Sequence, residues 1–434
     1  MEPMTIGLIS LGVILVLIWG GMHVGIALAT VSLFGVWAIT GKLKLALNFV
    51  ALAATESIAD YAFGVVPLFV LMGIAVSETG LGRDTFAVIS RMLRGSTGGL
   101  GVATVVSNAI FAAITGISIA SAAVFAKVSV PEMIRAGYDK RLAAGVVAGS
   151  SVLGMLIPPS LLLILFAVLT DSSIGELFLG GVGPGLLLSA GFAGWIVLIG
   201  LVRPDMVGKG HEMDEPDERV RRRMLLPVLL LAAIVLGGIY LGFFTPTEAG
   251  AVGAFAALAI AFGMRRLDAA SAWRITVQTG HITAAVCFLI IGAAIYGRML
   301  AFSGVPAAVT EWATQAGLGP FGFLLLFSAV LVVLGTILDS ASIMLVTVPL
   351  AFPIAQGLGI DPVHFGLITV MAIEIGLLTP PLGISVFVVT STLKGTGVEL
   401  RDVFIGAAPF ALVMAVTLVA VIAFPTIVTF ILGR

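Results

Sequence analysis

The chain has 434 residues, of which 59% are hydrophobic and 10% charged, and its formal net charge is −1. Soluble proteins carry roughly 25% charged residues, so water is the wrong solvent for this composition and lipid the right one. The near-neutral balance excludes a basic nucleic-acid surface. The single Cys287 excludes an intramolecular disulfide, and His23, His211, His281 and His364 stand at no metal-ligand spacing.

Apolar runs of roughly 17–25 residues are long enough to cross ~30 Å of hydrocarbon as helix. The alternating ten-residue segments of a barrel are absent. An all-α integral membrane fold is expected, because lipid leaves backbone groups no partner outside their own helix. In chain order the pattern predicts spans at 4–20, 22–40 and 58–80, then a helical hairpin at about 97–126. A proline-broken helix at about 142–170 and a span at 176–201 complete a first unit, 1–202. A cytoplasmic linker, 203–223, leads to a second unit, 224–434. That unit has spans at 224–244, 247–264 and 280–300, a hairpin at about 320–354, a broken helix at about 363–393 and a last span at 403–432. The segment from Met4 to Gly20 lacks a basic leader and a small-residue cleavage site, and is expected to be retained as a span.

Basic residues orient these spans. Clusters at Arg83–Arg94, Lys127–Arg141, Arg203–Arg223, Arg265–Arg274 and Lys394–Arg401 hold 18 of the 22 Lys and Arg. With the N-terminus outside, all five fall in the cytoplasm if 97–126 enters and turns back at Thr115-Gly116-Ile117-Ser118. The second hairpin then enters from the opposite face, with Asp339-Ser340 near its tip. Lys42, Lys44, Arg298 and Arg434 remain outside.

Self-comparison sharpens this picture. A constant shift of 222 aligns Ser118 with Ser340, Pro131 with Pro353, Gly137 with Gly359, Asp139 with Asp361, and Gly154 with Gly376. The same shift pairs Pro158-Pro159 with Pro380-Pro381, and three further residues pair Gly181 with Gly406 and Pro184 with Pro409. Two inverted repeats with interrupted helices point to a transporter's binding site. Pro-Pro in mid-span removes amide donors and clashes with the preceding turn. The carbonyls freed at Gly154–Ile157 and Gly376–Thr379 are hard oxygen ligands suited to a small cation. The half-helix that follows presents its N-terminus to an anion.

Asp339 and Glu374 fall inside the second unit's membrane segments, where a charge costs at least ~2.5 kcal/mol unless it is paired or functional. Asp339 reads as a cation partner or a helix cap; Glu374 reads as a ligand or a buried hydrogen-bonding partner to backbone. Their counterparts are Ile117 and Val152, so two sites would differ, the second being more polar. Asp171 and Glu176 read as a solvated outer rim. No Lys or Arg is expected deep in the membrane, which leaves a carboxylate to helix ends and hydroxyls.

The strings Thr115-Gly116-Ile117-Ser118-Ile119-Ala120-Ser121, Pro131-Glu132-Met133, Gly137-Tyr138 and Ile157-Pro158-Pro159-Ser160 resemble one known family. So do Thr245-Pro246-Thr247-Glu248-Ala249 and the run from Glu374 to Gly383, EIGLLTPPLG. The chain resembles, over nearly its whole length, the large membrane subunit of tripartite ATP-independent periplasmic (TRAP) transporters of the dicarboxylate type. It departs at the first hairpin tip, where Ile117 stands in place of a frequent Ser. The resemblance implies sodium-driven uptake of a small organic anion across a bacterial or archaeal cytoplasmic (inner) membrane, by elevator movement of the hairpin domain against a scaffold. It implies two partners, a small four-helix membrane subunit and a soluble periplasmic substrate-binding protein, with Na⁺ as coupling ion and no cofactor.

By position, the resemblance places sodium at Ser118, Gly154, Ile157 and Pro158, and at Asp339, Ser340, Ser342, Gly376, Thr379 and Pro380. It places substrate near Thr115, Gly116, Ser121, Pro159, Ser160, Pro381 and Gly383. The alternative is a stand-alone sodium–carboxylate symporter of related fold. An intramembrane enzyme lacks support: Asp339 has no second Asp, no His stands beside a nucleophilic Ser, and no P-loop is present.

Overall fold

The computed structural model describes residues 2–59, 61–93, 95–208, 222–315 and 317–433. Within the first unit the helices are α1 (Pro3–Trp19), α2 (Val24–Thr40), α3 (Leu43–Ala59), α4 (Val65–Glu78) and α5 (Leu81–Met92). The hairpin follows as α6 (Gly99–Thr115) and α7 (Ser118–Arg135). The broken helix is α8 (Lys140–Ser151), α9 (Leu153–Leu156) and α10 (Leu161–Thr170), and α11 (Ile174–Val202) closes the unit. The second unit has α12 (Leu226–Tyr240), α13 (Pro246–Gly263), α14 (Ala269–Ser303) and α15 (Val305–Gln315). Its hairpin is α16 (Pro320–Gly335) and α17 (Ser340–Gly357), its broken helix α18 (Pro362–Gly376) and α19 (Ile384–Thr392), and its last span α20 (Leu400–Ala423). Most of the expected linker, residues 209–221 with Lys209, Arg219 and Arg221, lies outside the described residues, as do Arg94 and Arg434.

Among the described residues, five unbroken helices and the interrupted stretch α8–α10 are long and apolar enough to cross a membrane, and α4 with α5 forms a seventh candidate bent by 60°. Three helices stand where connections are expected. Helix α3 fills 43–59 with a run flanked by Lys42, Lys44 and Glu56, too polar at its ends to read as a span. Helices α5 and α15 are short and amphipathic; α5 buries Leu81, Phe86, Val88 and Ile89 while carrying Arg83 and Arg91. Helix α14 is longer than the expected 280–300 span and runs unbroken for 35 residues.

The broken helices form the middle of the molecule. Helix α8 is buried from Leu142 to Ser151, and α18 from Val363 to Gly376. Each starts on an aspartate cap: Asp139 accepts from the amides of Arg141 and Leu142, and Asp361 from those of Val363 and His364.

The two units interlock. Helix α8 packs on α20 and α18 on α11; α4 packs on α13 and α14 on α2; α10 packs on α17 and α19 on α7. At the α8–α20 crossing, Gly145 and Gly406 bring the two backbones into contact, and no side chain would fit between them. Lys140 and Arg141 then reach Asp402 at 2.7 and 3.1 Å. Both cations are half exposed, so this pair contributes at most about 1 kcal/mol, and close packing decides the contact.

Candidate functional site

The first hairpin turns at Gly116, which takes a left-handed backbone (φ 64°) and caps α6. It docks on the gap in the first broken helix, where the amide of Leu161 donates to the Gly116 carbonyl at 3.1 Å. Ile157, preceding the proline pair, is extended, as steric conflict with the following ring requires. Gly154 lies under the tip. A Cβ there would stand 3.1 Å from the backbone of Ile117 and Ser118. The expected sodium residues Ser118, Gly154, Ile157 and Pro158 are thus brought together. Ser118 and Ser121 are fully buried, and neither hydroxyl has a protein partner.

Such orphaned hydroxyls cost about 1–3 kcal/mol each unless something other than protein satisfies them. A small hard cation is a chemically suitable occupant. The other named residues around this tip are engaged elsewhere. Thr115 donates to the Phe111 carbonyl at 3.0 Å, and Ser160 donates to the Met155 carbonyl while capping α10. Thr115, Gly116 and Pro159 line a cavity of about 10 Å³ shared with Phe69 and Val70 of α4. One water needs ~10–15 Å³, so this conformation has no room there for an organic acid.

The second tip is built differently. Helix α16 crosses α18 backbone to backbone: a Cβ on Gly376 would meet the Gly335 Cα at 2.5 Å and the Val332 carbonyl at 2.7 Å. The amide of Leu382, just after the proline pair, donates to the Thr336 carbonyl at 3.1 Å. Both proline pairs are joined by cis peptide bonds. Here the hydroxyls have carboxylate partners. Ser340 donates to Glu374 Oε1 at 3.3 Å, and Ser342 donates to Asp339, whose Oδ1 accepts the Ser342 amide at 3.1 Å.

Asp339 therefore caps α17, one of its two expected roles. The partner of Glu374 is a hydroxyl rather than the backbone expected from sequence; its second oxygen, Oε2, is buried without a protein partner. Thr379 sits in the turn after α18 and donates to the Ile375 carbonyl at 2.8 Å, which leaves its oxygen able to accept. Pro380 and Pro381 are exposed, whereas Pro158 and Pro159 are buried. Gly383 begins α19 in a left-handed conformation (φ 58°).

Two arrangements were not legible in sequence. Asn108 of α6 donates to Ser150 of α8 at 2.7 Å and keeps a buried, unpartnered Oδ1 close to the first tip's supporting helices. Gly73 of α4 lies against the tip itself, where a Cβ would stand 2.7 Å from the Thr115 carbonyl. Neither residue type announces a site; only the pairing of distant helices reveals it.

Comparison with known proteins agrees with this architecture. A family profile described as "Tripartite ATP-independent periplasmic transporter, DctM component" matches residues 11–427. The C4-dicarboxylate TRAP transporter large permease protein DctM of Pseudomonas aeruginosa is 34% identical over 381 residues, covering 87% of each chain. Its namesake in Rhodobacter capsulatus is 32% identical and covers 97% of each. The sialic acid TRAP transporter large permease protein SiaM of Vibrio cholerae is 30% identical over 94% of each chain. Among solved structures, the YdaH transporter of Alcanivorax borkumensis superposes with a TM-score of 0.66 at 15% identity, over 88% of this chain and 89% of that one, and so shares the fold. Polytopic helices, paired hairpins and a match across nearly the full length lead to one assignment: the chain belongs to the DctM component family of tripartite ATP-independent periplasmic transporters, a multi-pass inner-membrane transport subunit and not an enzyme.

Proposed function

We propose that this subunit imports a small organic acid driven by the sodium gradient, together with a small membrane subunit and a soluble binding protein. The observation that carries this reading is the docking of each hairpin tip on a proline-made gap, with two buried, unpartnered hydroxyls at the first. Sodium there would be held by Ser118 and Ser121 with the carbonyls around Gly154–Ile157. A second ion would take Ser340, Thr379 and the oxygens around Gly376, with Asp339 and Glu374 polarising the hydroxyls. The relatives are named for substrates that range from C4-dicarboxylates to sialic acid and 2,3-diketo-L-gulonate. Organic acids are the class they share, and selection among them belongs to the binding protein.

The two units read as inverted repeats. Helices α7 and α17 start 222 residues apart, as do α8 and α18. Packing is exchanged between units in corresponding pairs, the pattern a pseudo-twofold axis produces. In this reading α6–α11 and α16–α20 travel as one body against α1–α4 and α12–α14. The tightness at Gly73 and Thr115 supports such movement, since substrate could enter beside the first tip only if α4 and the tip part.

The test is uptake into proteoliposomes containing this subunit, its small membrane partner and its binding protein. Succinate and sialic acid would be offered with and without an inward sodium gradient. Uptake by the full set that collapses without sodium is the expected outcome. Equal uptake without sodium would refute coupling, and equal uptake by this subunit alone would favour the stand-alone symporter.

A further inference from the structure

Away from both tips, a cavity of about 330 Å³ opens between α3, α10, α14 and α17. Its walls are mostly apolar: Ile290, Ala293 and Ala294 of α14, Val168 and Leu169 of α10, and Val348, Pro349 and Phe352 of α17. One charged pair lies in its lining, Arg298 Nη1 with Glu56 Oε2 at 2.5 Å. A hollow of this size that sets apolar side chains beside one charge pair has the form of a small-molecule site. Val348 lies eight residues beyond Ser340 on α17, about 12 Å of helix rise, so the cavity is separate from the tips.

The pair decides what would bind. Side chains of Arg298 and Glu56 are 42% and 50% exposed, and ion pairs that accessible contribute only about 0–1 kcal/mol. An incoming carboxylate can therefore replace Glu56 on the guanidinium at little cost. A guanidinium presents five N–H donors, and a free carboxylate can take two of them in parallel. The apolar walls add stabilisation only for a ligand with a compact hydrocarbon body.

We propose that this cavity is a second ligand site, taking a carboxylate with a compact apolar body, with Arg298 as its anchor and Glu56 as the built-in competitor. The inference stands apart from the sodium and substrate residues at the tips, and its readout is binding to the purified full chain, independent of sodium-driven uptake. The probe is 4-phenylbutyrate, with 4-phenylbutanol as the uncharged comparator, titrated calorimetrically into protein in lipid nanodiscs.

Saturable binding of the acid and not the alcohol is expected. R298Q should weaken it at least about tenfold, the loss of a charge-assisted contact. E56Q should tighten it severalfold by removing the competitor, a gain that a merely structural ion pair would not give. Ala294→Leu, which fills the hollow with the pair intact, should abolish it. No saturable binding by the unaltered chain, equal binding of acid and alcohol, or weaker binding in E56Q would each overturn the proposal.

Discussion

Around the first hairpin tip two serine hydroxyls are buried and lack protein partners; around the second the serine hydroxyls are partnered by carboxyl groups, and the prolines beneath lie exposed. Ser118 and Ser121 donate to no protein group, whereas Ser340 and Ser342 donate to Glu374 and Asp339. The same proline pair thus supports two different chemistries. At the first, two serine hydroxyls are buried without a protein acceptor; at the second, the carboxyl groups of Asp339 and Glu374 accept from the tip's hydroxyls. Ile117 and Val152 stand 222 residues before Asp339 and Glu374, so the first tip has no carboxyl group at either position.

The largest expected effect is at the buried gap. Replacing Pro158-Pro159 with Ala-Ala restores the amides that a continuous helix needs, and uptake in reconstituted vesicles should be abolished with expression intact. Normal uptake would reduce the gap to a kink. Next come the glycines beneath the tips. Gly376→Ala puts a methyl against the Gly335 backbone, so a melting-curve comparison should show a loss of about 1–3 kcal/mol. Gly154→Ala has 3.1 Å to its nearest backbone neighbour, and its loss should be clearly smaller; equal losses would erase the distinction between the two docking geometries.

The serines separate the tips more finely. Ser340→Ala leaves Glu374 without its protein partner and should cost about 1–3 kcal/mol of stability. Ser118→Ala removes a hydroxyl bonded to no protein group, so stability without sodium should not fall while half-saturating sodium rises. An unchanged sodium requirement would take Ser118 out of the site. Thr379→Val keeps shape and removes an acceptor, so sodium activation should weaken and stability change little; identical activation would exclude Thr379 as a ligand. Least consequential for uptake and most alike should be Asp139→Ala and Asp361→Ala, each losing about 1 kcal/mol of stability with its helix cap. A large inequality there would show that the two units differ even where their backbones agree.

What is local and periodic was legible in the sequence. The turn at Gly116 and the breaks at the two proline pairs follow from proline and glycine placed in an apolar background. The aspartate caps of α8 and α18 were visible only as an aligned pair, Asp139 with Asp361. Helices α3, α5 and α15 were not legible, because short amphipathic helices flanked by charge look like loops in a membrane chain. Nor was the partner of Glu374 legible, and Arg298 was expected outside without its partner Glu56. Those contacts join residues 34 and 242 positions apart, and no local pattern encodes them. The crosswise packing of α8 with α20 and α18 with α11 was invisible for the same reason.

One asymmetry of the scaffold has mechanical consequences. Helix α14 is a single rod of 35 residues, about 52 Å long at 1.5 Å per residue. By position along the repeat, its counterpart in the first unit is two limbs, α3 and α4, joined through a short turn at Tyr61–Gly64. A continuous rod resists bending, while a joint concentrates it. Flexing under load should therefore be taken up beside α3, where Glu56, three residues before the end of that limb, makes only an exposed contact to the rod through Arg298.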